Sequence, residues 1–328
     1  LEGGQPRQED WRPGNDTGRF YGLTRLRDAL TRSRNLVTIR VMRQIGVGYT
    51  REYVQRFGLP AAHIPSDLTA ALGTAQLTPL EMADGFAVFA NGGSLVKPHV
   101  IERVLAADGT VIEETDAPVA CSDCDAAAAP APLVGNPPVA VPGDDAAGIV
   151  RAADVGGSLP GPIPEEMAPR VISQANAWIM TDLLKDVIRR GTGQRARALG
   201  RSDLAGKTGT TNDGRDAWFS GFNADLVATA WVGFDQERPL GANEEGAHTA
   251  LPMWIYFMRE ALAGVPQHGL PMPDGVVTAR VSGDPTGFDD EAPARFEYFL
   301  ADHLPAGLAG DGDAESEPPP QQYEEPIF

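Results

Sequence analysis

The stretch LAGKTGTTNDGRDAWFSGFNADLVATAWVGFD, residues 204–235, decides the fold. It holds three runs with strand character, at 204–211, 216–222 and 226–234. Aromatic and β-branched residues fill the last two, and Asn223-Ala224-Asp225 reads as the turn that joins them. Before the stretch, SQANAWIMTDLLKDVIRRGTG has the clearest helical period in the chain. Ala175, Trp178, Ile179, Leu183, Val187 and Ile188 recur on one face, with Ser173 as N-cap and Gly191 as the stop. After it, LPMWIYFMREALAG reads as a helix with Pro252 near its start and Gly264 past its end. An antiparallel run between helices implies an α+β fold.

Further out, the first block repeats the helical pattern. Leu26, Ala29 and Leu30 share a spacing, as do Val37, Ile39, Val41, Met42 and Ile45 before Gly46. YTREYVQRFG reads as a short helix ending at Gly58, and a third helix starts at a Thr78 cap with Pro79 at its first position. HVIERVLAADGTVIEE predicts a hairpin turning at Asp108-Gly109.

Within the deciding stretch, Lys207-Thr208-Gly209-Thr210 has a chemical logic. Strand alternation puts Lys207 and Gly209 on one face and Thr208 and Thr210 on the other. Lys207 supplies a fixed cation, the threonines supply hydroxyls, and Gly209 leaves room for a ligand backbone along the strand. A surface strand with a stray lysine would look the same. Ser33-Arg34-Asn35, an S-x-N between two helical stretches, could point a hydroxyl and an amide into a cleft. Read alone, one of the two more readily caps the helix that begins near Leu36.

Taken together, S-x-N followed by K-T-G is the second and third signature of the penicillin-recognising serine enzymes. WRPGN, LRDALTRSRN, LGTAQLTPLEMADGFAVFANGG, DVIRRGTG and the deciding stretch, spread over residues 11–264, resemble the transpeptidase domain of class A penicillin-binding proteins of the type-1A kind. The resemblance implies a penicillin-binding/β-lactamase-like transpeptidase fold, an antiparallel sheet flanked by helices, incomplete at its N-terminus. It implies a serine D,D-transpeptidase that cross-links D-Ala-D-Ala peptidoglycan stem peptides and binds β-lactams. Mapped onto this chain, Ser33 would relay protons and Asn35 would hold the substrate amide. Lys207 would assist that relay and, with Thr208 and Thr210, favour the terminal carboxylate, and the Thr210 N–H would serve an oxyanion hole. Gly209 belongs to the same substrate-binding strand.

The family's first signature, the S-x-x-K of the nucleophile, should precede S-x-N, yet residues 1–32 contain no serine. The literal match, Ser94-Leu95-Val96-Lys97, is a decoy. Pro98 bars Lys97 from a helix, Gly92 and Gly93 end one, and in extended chain positions i and i+3 face opposite ways. The nucleophile is therefore expected upstream of Leu1, with a membrane anchor and a glycosyltransferase domain. The fragment alone should be inactive, and the whole protein should work on the periplasmic face of the inner membrane. A D,D-carboxypeptidase or β-lactamase-like hydrolase would share the motifs. A non-catalytic binding module would suit a chain without a nucleophile.

Charge divides the 328 residues unevenly. The formal net charge is −18, from 27 basic and 45 acidic side chains. Segments 104–166 and 281–328 carry net −10 and −11, which leaves the remainder at +3. No clustered basic face suggests a nucleic-acid partner, and the longest apolar run, 226–234, falls far short of the roughly 18 residues that suggest a membrane span. The expected organisation is a first transpeptidase segment (1–116), an acidic Ala/Pro-rich insertion (117–166), a second transpeptidase segment (167–275), and an extension with an acidic, disordered tail (276–328). No cofactor or metal is implied. His63, His99, His248, His268 and His303 are scattered, and Cys121 and Cys124 read as a local disulfide or an incidental pair.

Overall fold

A computed structural model describes residues 11–120, 167–211, 214–282, 294–305 and 308. Cys121, Cys124, nearly all of the acidic insertion and most of the acidic tail lie outside the described residues.

The deciding stretch forms three antiparallel strands: β3 (Ala205–Thr210), β4 (Ala217–Phe222) and β5 (Val227–Val232), in the order β3-β4-β5. Alternation on β4 assigns the two faces. Ala217 and Phe219 join Trp254, Leu251, Met258 and Ile188 in one buried cluster. Phe222, with Ala205 of β3, packs on Leu184, Val187 and Ala90 on the other side. Helix α6 (Leu251–Ala261) therefore covers one face, while α4 (Pro79–Ala90) and α5 (Gln174–Arg190) cover the other. Trp254 fits because Gly221 lies beneath it: a Cβ there would sit 2.7 Å from the indole.

The helix ends follow their caps. The Ser173 hydroxyl accepts from Asn176 N–H, and α5 stops at Gly191. Thr78 and Glu81 form a full capping box around Pro79 at the start of α4. In the first block, α1 (Leu26–Thr31) is followed by α2 (Asn35–Ile45), closed by Gly46 at φ +91°. The short helix to Gly58 runs as α3 (Val47–Tyr53) tightening into a 3₁₀ turn, Val54–Phe57. The hairpin β1 (Arg103–Leu105) and β2 (Val111–Glu114) turns at Gly109, as its Asp-Gly signal predicts.

Two strands inside the segment read as an extension, β6 (Val276–Val281) and β7 (Arg295–Leu300), pair antiparallel. Side-chain contacts dock β7 on the body. Tyr298 meets Trp178 of α5 edge-on, with ring centroids 4.8 Å apart. Glu297 binds Arg27 of α1 at 2.5 Å. Arg27 also pairs with Asp182 (2.8 Å) and Asp186 (3.2 Å) of α5, with only 10% of its side chain exposed. Asp28, next along α1, takes Arg190 at 2.6 Å and Arg295 at 3.1 Å. Burial pushes the Asp28 carboxyl up, but its bonds to Arg190 and Arg295 outweigh that and hold it below the usual range. Alternating charges thus clamp a six-residue helix that is too short to hold its own shape in water.

Candidate active site

The loop between α1 and α2 carries Ser33. It closes α1 as a Schellman motif: Ser33 N–H donates to Leu30 C=O (3.2 Å), and Arg34 N–H donates to Ala29 C=O (2.8 Å). The motif requires left-handed backbone at Ser33, where φ is +52°. Glycine normally fills such a position. A serine there points its hydroxyl where a glycine would have none. Neither Ser33 nor Asn35 caps α2, contrary to the reading of the tripeptide by itself. Leu36 N–H instead donates to Asn15 Oδ1 at 3.2 Å, so the cap comes from a residue distant in sequence. Asn35, the first residue of α2, donates through Nδ2 to Gly14 C=O at 3.1 Å.

Lys207 reaches this loop from β3. Its Nζ donates to Ser33 Oγ at 2.9 Å and to Thr208 C=O at 2.9 Å, so residues 174 positions apart meet at a hydrogen bond. Burial pulls the Lys207 amine down to about 8 from its ordinary 10.5. A group so placed exchanges its proton near neutral pH.

Thr208 and Thr210 line a cleft of about 390 Å³ together with Ser33, Asn35 and Thr192. Thr208 Oγ1 lies 2.7 Å from Thr192 Oγ1, and Thr210 Oγ1 accepts from Gly246 N–H at 3.1 Å. Gly209 sits opposite Trp218, where a Cβ would come within 3.0 Å of the Trp218 Cβ. A side chain there would press tightly on Trp218. Arg32 and Arg34 add positive charge to the cleft, and Asp16, Glu244 and Glu245 add negative charge. Arg34 is stacked 3.5 Å over the Tyr21 ring.

All six residues singled out from the sequence meet along β3 and the α1–α2 loop. Ser94 and Lys97 do not belong to this group. Ser94 is 1% exposed, bridges to Arg170 and bonds through its main chain to Asn91, while Lys97 lies in solvent. Sequence reasoning gave no role to Thr192 or Asn15, although they lie in the quoted strings DVIRRGTG and WRPGN, and it missed the Glu244–Ala247 rim. A five-residue π-turn, Gly246–Ala250, brings that rim in and runs straight into α6. Gly246 could have been suspected only from its contacts, since a Cβ there would lie 2.4 Å from Gly209 C=O and 2.5 Å from Trp218 C=O.

A helix-flanked antiparallel sheet whose edge strand presents Lys-Thr-Gly-Thr to a Ser-x-Asn loop defines a class. Residues 2–236 match the family described as "Penicillin binding protein transpeptidase domain", and the chain belongs to it. Within that family it is similar to penicillin-binding protein 1A. It is 42% identical to the Pseudomonas aeruginosa protein of that name over 91% of this chain and 37% of the relative. The crystal structure of penicillin-binding protein 1A from Haemophilus influenzae superposes with a TM-score of 0.75 at 34% identity, covering 92% of this chain and 43% of that one. The PonA1 protein of Mycobacterium tuberculosis in complex with penicillin V shares the fold, with a TM-score of 0.55 at 21% identity over 79% of this chain and 61% of that one. The chain spans well under half the length of its penicillin-binding protein 1A relatives.

Proposed function

We propose that this chain supplies the proton-relay and carboxylate-binding walls of a serine D,D-transpeptidase that cross-links peptidoglycan stem peptides and is acylated by β-lactams. The observation that carries the reading is the 2.9 Å bond between Lys207 Nζ and Ser33 Oγ at the head of a cleft lined by Thr208 and Thr210. In this reading the nucleophilic serine lies outside the chain. Its Oγ attacks the penultimate D-Ala carbonyl, the C–N bond to the terminal D-Ala breaks, and an acyl-ester forms. The serine proton passes through Ser33 and Lys207 to the departing amine. An amine from a neighbouring stem then attacks the ester, returns a proton by the same path and leaves an amide cross-link. Asn35 holds the substrate amide, and Thr208 and Thr210 bind the terminal carboxylate. The Thr208 carbonyl already faces the Lys207 amine, and main-chain groups two residues apart on a strand point the same way. The Thr210 N–H is thereby directed outward, where it can donate to the oxyanion. Gly209 contributes backbone alone. The whole protein then works at the periplasmic face of the inner membrane, anchored by a segment outside this chain.

The test is labelling by a fluorescent penicillin. The full-length protein should be labelled, and Ser33→Ala or Lys207→Ala should slow labelling by roughly 10²–10⁴-fold, the usual contribution of a general acid–base group. The isolated chain should give no covalent band. A labelled band from the isolated chain, or full-rate labelling of the Lys207→Ala protein, would overturn the reading.

A further inference from the structure

Thr192 touches β3 in the cleft through its side chain and α1 through its main chain. Its N–H donates to Thr31 C=O, the last residue of α1, at 3.3 Å. Its Oγ1 lies 2.7 Å from Thr208 Oγ1 on β3. Gly191, just before it, presses so closely on α1 that a Cβ would come within 2.2 Å of the same Thr31 carbonyl. The residue therefore stands between the loop that carries Ser33 and the strand that carries Lys207.

The direction of the Thr192–Thr208 hydrogen bond follows from the ligand. A carboxylate only accepts hydrogen bonds. If Thr208 serves a carboxylate, its O–H must point to that carboxylate, and its lone pair must then accept from Thr192. Thr210 has the same arrangement with a different donor, since its oxygen accepts from Gly246 N–H. Each of the two hydroxyls is thus filled from behind by a donor and presents its own proton to the cleft. Hydrogen bonds in such a chain polarise one another, so the rear donor strengthens the bond to the anion.

We infer that Thr192 is a positioning residue of this site, whose hydroxyl donates to Thr208 and thereby fixes the Thr208 proton on the substrate's terminal carboxylate. The inference rests on the transpeptidase reading above. Threonine suits both duties. Its β-branch limits χ1, so the hydroxyl is held in place before substrate arrives. Lys207 is not needed for this orientation; its amine is engaged by Ser33 Oγ and Thr208 C=O.

The test compares the full-length protein with its Thr192→Val and Thr192→Ser variants. Valine keeps the shape and loses the hydroxyl, and serine keeps the hydroxyl. Acylation rates are measured with a penicillin and with the same penicillin as its methyl ester, which lacks the carboxylate charge. Thr192→Val should lower the second-order acylation rate for the free acid by about tenfold, the factor carried by one charge-assisted hydrogen bond. The rate for the ester should change by less than about twofold, and Thr192→Ser should restore the free-acid rate. A merely structural role would slow both compounds equally, and that outcome would overturn the inference. So would an unchanged free-acid rate in Thr192→Val. If the unaltered protein does not react with penicillin at all, the transpeptidase reading fails first, and this outcome is distinct from the other two.

Discussion

Replacing Ser33 by glycine separates what the backbone wants from what the chemistry needs. An L-residue in left-handed backbone costs about 1–2 kcal/mol relative to glycine. Glycine gives back roughly 0.5–1 kcal/mol through its larger freedom in the unfolded chain. The net gain from Ser33→Gly over Ser33→Ala is therefore centred at about 0.75 kcal/mol, within a span of roughly 0–1.5 kcal/mol. Both variants lose the hydroxyl and its bond to Lys207, so that loss cancels in the comparison. For a domain of this size 1 kcal/mol moves the melting midpoint by about 2–4 °C, so Ser33→Gly should melt roughly 1–4 °C above Ser33→Ala. Penicillin labelling of the full-length protein should fall equally in both. The assay pairs circular-dichroism melting with labelling rates. A glycine variant that melts at or below the alanine variant would refute the left-handed assignment, and a labelled, full-rate alanine variant would refute the relay.

Three other outcomes follow from the geometry. Lys207 has a lowered pKa in the fold, so it binds fewer protons than in the unfolded chain between pH 8 and 10.5. Its contribution to stability should rise with pH across that window, and Lys207→Met should flatten the rise in a pH series of unfolding curves. Gly246→Ala would drive a Cβ into two backbone carbonyls, at 2.4 and 2.5 Å, and should displace β3 and slow labelling even where the protein stays folded by circular dichroism. Arg27→Met would take from Glu297 the cation it binds, while Asp182 and Asp186 keep Arg189, and should cost about 1–3 kcal/mol, read as a fall of roughly 2–12 °C in the melting midpoint.

What the sequence made legible was what neighbouring residues decide. Ser173 and Gly191 bracket α5, Thr78 and Pro79 open α4, and the Asn223 turn separates β4 from β5, because caps and turns act within four or five residues. The K-T-G strand and its alternation followed from the same local rules. The misread features all depend on distant partners. Ser33-Arg34-Asn35 looked like a helix cap because the actual cap, Asn15, lies 21 positions before Leu36. The pairing of β6 with β7 was lost in the charge of its surroundings. Arg295 and Glu297 counted there as solvated charge, although each finds a partner on α1. Thr192 lay in the quoted string DVIRRGTG but gave no hint of its role, since a threonine after a helix-ending glycine is ordinary until its two contacts are known.

The clamp on α1 links two distant parts of the molecule. Ser33 holds its place only while α1 is helical, and the charges that hold α1 come partly from β7. Energy spent loosening β7 from the body is therefore felt at the cleft. By reciprocity, any occupant that tightens the cleft around Ser33 raises, by the same free energy, the work needed to peel β7 away.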